Sequence, residues 1–233
     1  MDNRKTKIVA TIGPATSSKE MLKNLIDAGV NVCRINFSHG DHKDHESVIN
    51  CIREINKETG GNTAILGDLQ GPKIRVGQIE NNGVDLINGE EIILTSKECI
   101  GTKDKVYISY QNFSKDVRPG ESILLDDGKL SLKIKSTNKA DEVIAIVEHG
   151  GILSSNKGVN LPNTNVSLPC LTEKDLIDLD FALKMNLSWI GLSFVRNARD
   201  IIELKHIISE NNNAAKVIAK IEKPEAIKDI DDI

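Results

Sequence analysis

The chain has 233 residues, 39% hydrophobic but only 3% aromatic, which is enough aliphatic side chain for one large α/β unit or one domain with an insertion. Its net charge of −4 argues against a nucleic-acid-binding surface as the main purpose. Four scattered cysteines (Cys33, Cys51, Cys99, Cys170), without a CxxC or Cys/His cluster, read as a reducing cytoplasm and exclude a disulfide framework or zinc site. No apolar run reaches membrane-spanning length, and Met1 leads within a few residues into a strand, leaving no room for a signal peptide. The expectation is a soluble, cytoplasmic protein with neither a nucleic acid nor a membrane as partner.

Lys7 to Ile12 reads as a strand, followed by a turn at Gly13-Pro14 and a helix cap in Thr16-Ser17-Ser18. Met21, Leu22, Leu25, Ile26 and Ala28 recur at helical spacing, ended by Gly29. Val30–Phe37 is a second strand, Asp44–Glu58 a second helix closed by Gly60-Gly61, and Thr63–Leu69 a third strand. Such alternation means parallel strands with right-handed crossovers. After Arg75 the pattern changes. Short runs at Glu91–Thr95, Ser122–Leu125, Leu130–Lys135 and Val143–Val147 are separated by Asn-Gly, Pro-Gly and Asp-Gly turns, with no convincing helix. They read as a small all-β barrel or sandwich. From Thr172, whose Thr-Glu-Lys-Asp stretch resembles a capping box, the alternation resumes: helix to about Met185, strand Ser188–Phe194, helix Ala198–Glu210, strand Lys216–Glu222 and a last helix opening at Pro224. The expected domains are residues 1–75, an inserted β domain at 76–160, and 161–233. Five β/α strands suffice for a doubly wound sheet, whereas a barrel needs eight; the count leans toward a truncated chain.

Residues two apart in a strand share a face. Arg34, Asn36 and Ser38 therefore share one, as do Leu66 and Asp68, then Trp189, Gly191 and Ser193, then Lys220 and Glu222. A single polar strand end reads as a solvated terminus with a salt bridge. Four together describe a polar bowl at the C-terminal mouth of a parallel sheet, because such charges are rarely buried without partners or a task. Its carboxylates and neutral oxygens suit a hard cation such as magnesium, and its Arg and Lys suit a phosphate-bearing substrate. There is no Walker A loop and no GxGxxG.

Several stretches then resemble one family. Thr6-Lys-Ile-Val-Ala-Thr-Ile-Gly-Pro-Ala-Thr16, Arg34-Ile-Asn-Phe-Ser-His-Gly40, Asp68 with Gly71-Pro72-Lys-Ile-Arg75, Asp126-Asp-Gly128, Lys157-Gly-Val-Asn-Leu-Pro162, Leu192-Ser-Phe-Val-Arg196 and Val217-Ile-Ala-Lys-Ile-Glu222 together resemble pyruvate kinase over the whole chain. The resemblance implies an α/β fold: a (β/α)8 TIM barrel, with only about the first five β/α units present, and a β-barrel lid inserted after the third strand. It implies phosphoryl transfer from phosphoenolpyruvate to ADP in glycolysis, with Mg2+ or Mn2+ as cofactor and a homotetramer at full length. By resemblance, Lys220 is catalytic and binds substrate together with Arg34, and Glu222 holds the divalent metal. Asn36, His39, Arg75 and Lys157 are nucleotide-side residues, and Asp126 and Asp127 approach the site on lid closure. His39 reads alternatively as a helix cap, and Lys157 as an ordinary loop lysine.

Two departures matter. Potassium-dependent members hold the ion at positions matching Asn36, Ser38, Asp68 and the carbonyl of Leu69, and usually read Asp-Thr-Lys-Gly-Pro-Glu-Ile-Arg-Thr there. This chain reads Asp68-Leu-Gln-Gly-Pro-Lys-Ile-Arg-Val76. Lys73 in place of glutamate resembles the potassium-independent subgroup, the ammonium supplying the monovalent charge, so potassium is not expected to be required; the plainer reading has Lys73 pointing to solvent. The second departure is that the family's other metal carboxylate, in an Ala-Arg-Gly-Asp stretch, does not occur in this chain. The chain alone is therefore expected to be inactive. The competing readings are a metal-dependent lyase or aldolase of the barrel type and a non-catalytic binding fragment.

Overall fold

A computed structural model gives the fold and describes residues 5–233; the reading of Met1 and its neighbours as a lead into the first strand lies partly outside the described residues. The elements in chain order are β1 (Val9–Ile12), α1 (Lys19–Asp27), β2 (Val32–Asn36), α2 (His42–Thr59), β3 (Ala64–Asp68), β4 (Val84–Leu86), β5 (Glu91–Thr95), β6 (Lys105–Tyr107), α3 (Phe113–Asp116), β7 (Ser122–Leu125), β8 (Leu130–Thr137), β9 (Glu142–His149), β10 (Gly151–Leu153), β11 (Val159–Asn160), α4 (Glu173–Lys184), β12 (Trp189–Leu192), α5 (Ala198–Glu210), β13 (Lys216–Ala219) and α6 (Pro224–Lys228). They divide into two compact units, Met1–Pro72 with Cys170–Ile233, and Lys73–Pro169.

The first unit is α/β, with an all-parallel sheet in the order β1-β2-β3-β12-β13. One face of this sheet is apolar: Cys33, Ile35, Ile65, Ile190 and Leu192 pack with Leu22, Ile49, Ile52, Leu179 and Leu204 from the helices. Burying that face drives the unit together. The helix ends are capped as the sequence predicts. Ser18 accepts from the amide of Met21, and Gly60 ends α2 at φ 67, a left-handed conformation that costs glycine little. Thr172 and Asp175 form a capping box, and Asp175 also accepts from the Gly71 amide at 3.0 Å, which fixes the loop after β3.

Several details differ from the sequence reading: β2 ends at Asn36, so Ser38 lies in the following turn and not on the strand face, and the second unit adds the short strands β4, β6, β10 and β11. β13 stops at Ala219, so Lys220 and Glu222 lie beyond the strand; Lys220 still donates its amide to the Leu192 carbonyl at 3.0 Å, which keeps the strand's register for one more residue. β12 likewise ends at Leu192, and Ser193 and Phe194 form a turn. In the second unit, α3 is a single helical turn too short to show periodicity, anchored by fully buried Phe113.

The second unit is otherwise β, with a six-stranded sheet ordered β11-β7-β8-β9-β5-β6 and a β4/β10 pair. Its own core runs from Ile74 and Val76 to Leu161 and Val166. This is why contacts divide the chain after Pro72 and before Cys170, where the sequence pattern puts boundaries after Arg75 and before Leu161. Among the described residues no helix is long and apolar enough to cross a membrane.

Candidate active site

The face of the parallel sheet opposite the helices carries the charges. Cα partners in a parallel sheet point the same way, so the row Asn36–Asp68–Gly191 runs across β2, β3 and β12, with Arg34 beside Thr11 and Leu66 one row below. Asp68 is 3% exposed, and Arg34 clasps it. Arg34 Nε donates to Asp68 Oδ2 at 2.6 Å, Nη2 lies 2.5 Å from the same oxygen, and Nη1 donates to Thr11 Oγ1 at 2.8 Å. From the far side Lys220 Nζ approaches Asp68 Oδ1 at 3.2 Å and Oδ2 at 3.3 Å. Lys220 also lies 3.6 Å from Glu222 Oε1. Four charged groups thus form a continuous chain: Arg34, Asp68, Lys220, Glu222.

The packing that permits this is specific. Gly191 sits beside Asp68, and a Cβ there would lie 3.0 Å from Asp68 Oδ1, pressing on the carboxylate. Asp68 Oδ1 is buried without an aligned hydrogen-bond donor; the nearby lysine pairs with it by charge alone. The half-exposed Glu222 carboxylate is an oxygen donor of the kind that fits a hard divalent cation. Among the described residues no group of three or more His, Cys, Asp or Glu gathers as a metal cluster, so this chain offers such an ion few carboxylates.

Around this core, Asn36 Oδ1 accepts from the Ser38 amide at 3.1 Å, and the Leu69 carbonyl accepts from Ser193 Oγ at 2.6 Å. Two of the four groups that resemblance assigns to a monovalent ion, Asn36 Oδ1 and the Leu69 carbonyl, are therefore engaged in fixing loops. A cavity of about 670 Å³ opens beside them, lined among others by Thr11, Gly13, Pro14, Asn36, His39 and His45. His39 does not cap α2, since Asp41 does so by accepting from the Asp44 amide. His45 packs against Gly40 and accepts its shape from that glycine, whose added Cβ would lie 2.9 Å from the ring. Burial lowers the ring's proton affinity below the ordinary histidine value, against the opposing pull of its bond to the His39 backbone.

The remaining candidates lie in the second unit. Arg75 bridges to Gly158, and its Nη1 donates to the Asn156 carbonyl at 3.1 Å. Lys157 pairs with Asp126 at 3.0 Å, and Lys129 pairs with the same carboxylate at 3.0 Å. Lys129 first, then Lys157, hold the Asp126 carboxyl below its usual range. Asp126 and Asp127 adopt left-handed backbone (φ 48 and 57), forming the tight turn before Gly128. Lys73 packs near Gly158 and makes no ion pair among the described residues. The structure thus gathers Arg34, Asn36, Ser38, His39, Asp68, Leu69, Lys220 and Glu222 in the first unit, and Lys73, Arg75, Asp126, Asp127 and Lys157 in the second. Sequence reasoning did not assign Thr11, Ser193, Phe194 or His45. Strand parity had put Ser193 on the charged face, and that was the available signal.

The family model for the pyruvate kinase barrel domain matches residues 3–233. The chain belongs to the pyruvate kinase family. It is 45% identical over 231 residues to a pyruvate kinase of Corynebacterium glutamicum, which covers 99% of this chain and 48% of that protein. Against pyruvate kinases of Geobacillus stearothermophilus and Synechocystis the identities are 43% over 232 residues and 49% over 230, covering 40% and 39% of those proteins. The chain thus spans less than half the length of the curated relatives it matches. Membership of this family accounts for the order of the motifs along the chain.

Proposed function

We propose that the protein containing this chain transfers a phosphoryl group from phosphoenolpyruvate to ADP, giving pyruvate and ATP. The observation that carries this reading is the convergence of Arg34 and Lys220 on one buried carboxylate, with Glu222 3.6 Å from the lysine. Phosphoryl transfer asks the protein mainly for positioning and for fixed positive charge where negative charge develops. Asp68 holds two cations at a set separation, so neither must reorganise when the substrate arrives. Arg34 binds the phosphate, and Lys220 stands at the phosphoryl group and the enolate oxygen. The two cations cancel Asp68 and Glu222; Glu222 would hold a magnesium or manganese ion, which would supply further positive charge toward the phosphates.

Asn36 and His39, which line the 670 Å³ cavity of the first unit, are nucleotide-side residues, and resemblance gives Arg75 and Lys157 the same role. The sheet belongs to a (β/α)8 barrel, a reading supported by the partial exposure of its two outer strands, β1 and β13, whose Val9 and Ile218 are 54% and 38% exposed. The complete enzyme is proposed to act in glycolysis as a homotetramer. Lys73 in place of the family's glutamate supplies the monovalent charge, so potassium is dispensable.

The test uses the full-length protein with phosphoenolpyruvate, ADP and Mg2+ in a coupled ATP-formation assay. Turnover in sodium or tetramethylammonium buffer should approach the potassium rate, and Lys220→Met should lower kcat on the order of 10²–10³-fold or more. No ATP formation by the wild type would sink the assignment, and many-fold potassium activation would sink the role of Lys73.

A further inference from the structure

β12 ends at Leu192, and the next two residues form a turn unlike an ordinary strand exit. Phe194 has φ 57, a left-handed conformation that a bulky side chain rarely adopts. The turn is closely packed. Gly71, itself at φ 67, lies so close that an added Cβ would be 3.0 Å from both Ser193 Cβ and the Ser193 carbonyl oxygen, and 3.1 Å from the Phe194 ring. Lys223 lies over that ring at 5.7 Å.

Each residue of the turn holds one of the two functional groups that follow β13. Ser193 is 3% exposed, and its hydroxyl donates to the Leu69 carbonyl at 2.6 Å. A serine hydroxyl has one proton. With that proton spent on Leu69, the oxygen presents lone pairs, and Lys220 Nζ donates to it at 2.8 Å. The Phe194 amide donates to Glu222 Oε2 at 2.9 Å, leaving Oε1 toward Lys220. Of the lysine and the glutamate, Asp68 restrains only the lysine. The turn restrains lysine and glutamate together, from one rigid backbone segment.

We infer that Ser193 is a positioning residue that aims the Lys220 ammonium, and that the Ser193–Phe194 turn sets its register with Glu222. This rests on the phosphoryl-transfer reading above. That Ser193 both donates to Leu69 and accepts from Lys220 explains why a hydroxyl, and not merely a small side chain, stands at this buried position. Without it the ammonium keeps its pairing with Asp68 but loses the contact that fixes its direction.

The test compares Ser193→Ala, Ser193→Cys and Ser193→Thr in the full-length enzyme, measuring kcat, KM for each substrate, Mn2+ affinity by electron paramagnetic resonance, and thermal midpoint. Loss of a hydrogen bond to a charged group should lower kcat about ten- to a hundred-fold in the Ala and Cys variants. KM for ADP and the Mn2+ dissociation constant should stay within about threefold, since those groups keep their contacts. Ser193→Thr, which retains the hydroxyl, should keep more than about a third of the activity if only the hydrogen bond matters. The inference is overturned if Ser193→Ala keeps kcat within about threefold, if cysteine restores activity by shape alone, or if kcat and ADP affinity fall together with the thermal midpoint. Should Ser193→Ala fail to fold, the threonine variant decides: activity below about a third with a native thermal midpoint overturns the inference, and activity above it supports it. A wild type that makes no ATP overturns the functional reading and this inference together; an active wild type with an unaffected Ser193→Ala overturns this inference alone.

Discussion

Replacing Asp68 by asparagine keeps the side chain's size but removes the charge that joins Arg34 to Lys220. The Asp68 side chain is 4% exposed, while those of Arg34 and Lys220 are 28% and 30% exposed. Removing one partner of a buried ion pair costs about 3–5 kcal/mol, because the remaining charge is left uncompensated. Here the two cations recover part of their hydration, and the asparagine oxygen still accepts one hydrogen bond, so the lower end of that range applies, about 3 kcal/mol. For a chain of this size 1 kcal/mol shifts the midpoint by roughly 2–4 °C, which gives a drop of roughly 6–12 °C. Thermal unfolding followed by circular dichroism at pH 7 reads this directly. A companion variant, Arg34→Met/Asp68→Leu/Lys220→Met, removes all three charges and should recover at least half of the lost stability, since apolar replacement of a whole buried cluster is often neutral or stabilising. A drop of less than about 2 °C in Asp68→Asn would refute the claim that this carboxylate holds the two cations.

Gly67 lies mid-strand in β3, where an added Cβ would sit 2.8 Å from the Phe37 ring and 3.0 Å from Leu187 Cδ1. Gly67→Ala should therefore destabilise by about 1–2 kcal/mol, as overpacking of about 1–3 kcal/mol exceeds the gain of about 0.4–1 kcal/mol from a stiffer unfolded chain; urea denaturation checks it, and an unchanged or raised stability refutes it. His45 is held neutral mainly by burial, with His42 adding to the effect and Asp178, Asp41 and the His39 backbone opposing it. Because the folded value lies below the ordinary 6.5, the unfolded chain takes up the proton first as pH falls. The neutral ring's contribution is thus present above about pH 6.5 and lost as pH drops from there toward the lowered folded value. The thermal midpoint should fall less steeply between pH 7 and 5 in His45→Gln than in the wild type; parallel curves would argue against the buried neutral ring.

Much of this architecture is legible along the chain. Ser18, Gly60 and the Thr172/Asp175 pair mark helix ends through local hydrogen bonds, and the strict alternation in Val32–Asn36 separates an apolar face from one bearing Arg34 and Asn36. These signals operate over two to four residues, the range over which backbone periodicity and capping act. The same parity puts Asp68, Ser193 and Lys220 on charged faces of their own segments. What the chain could not show is how those segments align. Arg34 and Asp68 are 34 residues apart and Lys220 and Asp68 152 apart, so their meeting depends on strand order and register. Nor could the chain show that β13 ends at Ala219, that Gly191 lies close against Asp68, or that Phe194 adopts a left-handed conformation that a bulky side chain rarely takes. Local chemistry determined which groups were available. Only the folded sheet, burying its apolar face against the helices, decided that two cations would share one carboxylate and that a serine would aim one of them.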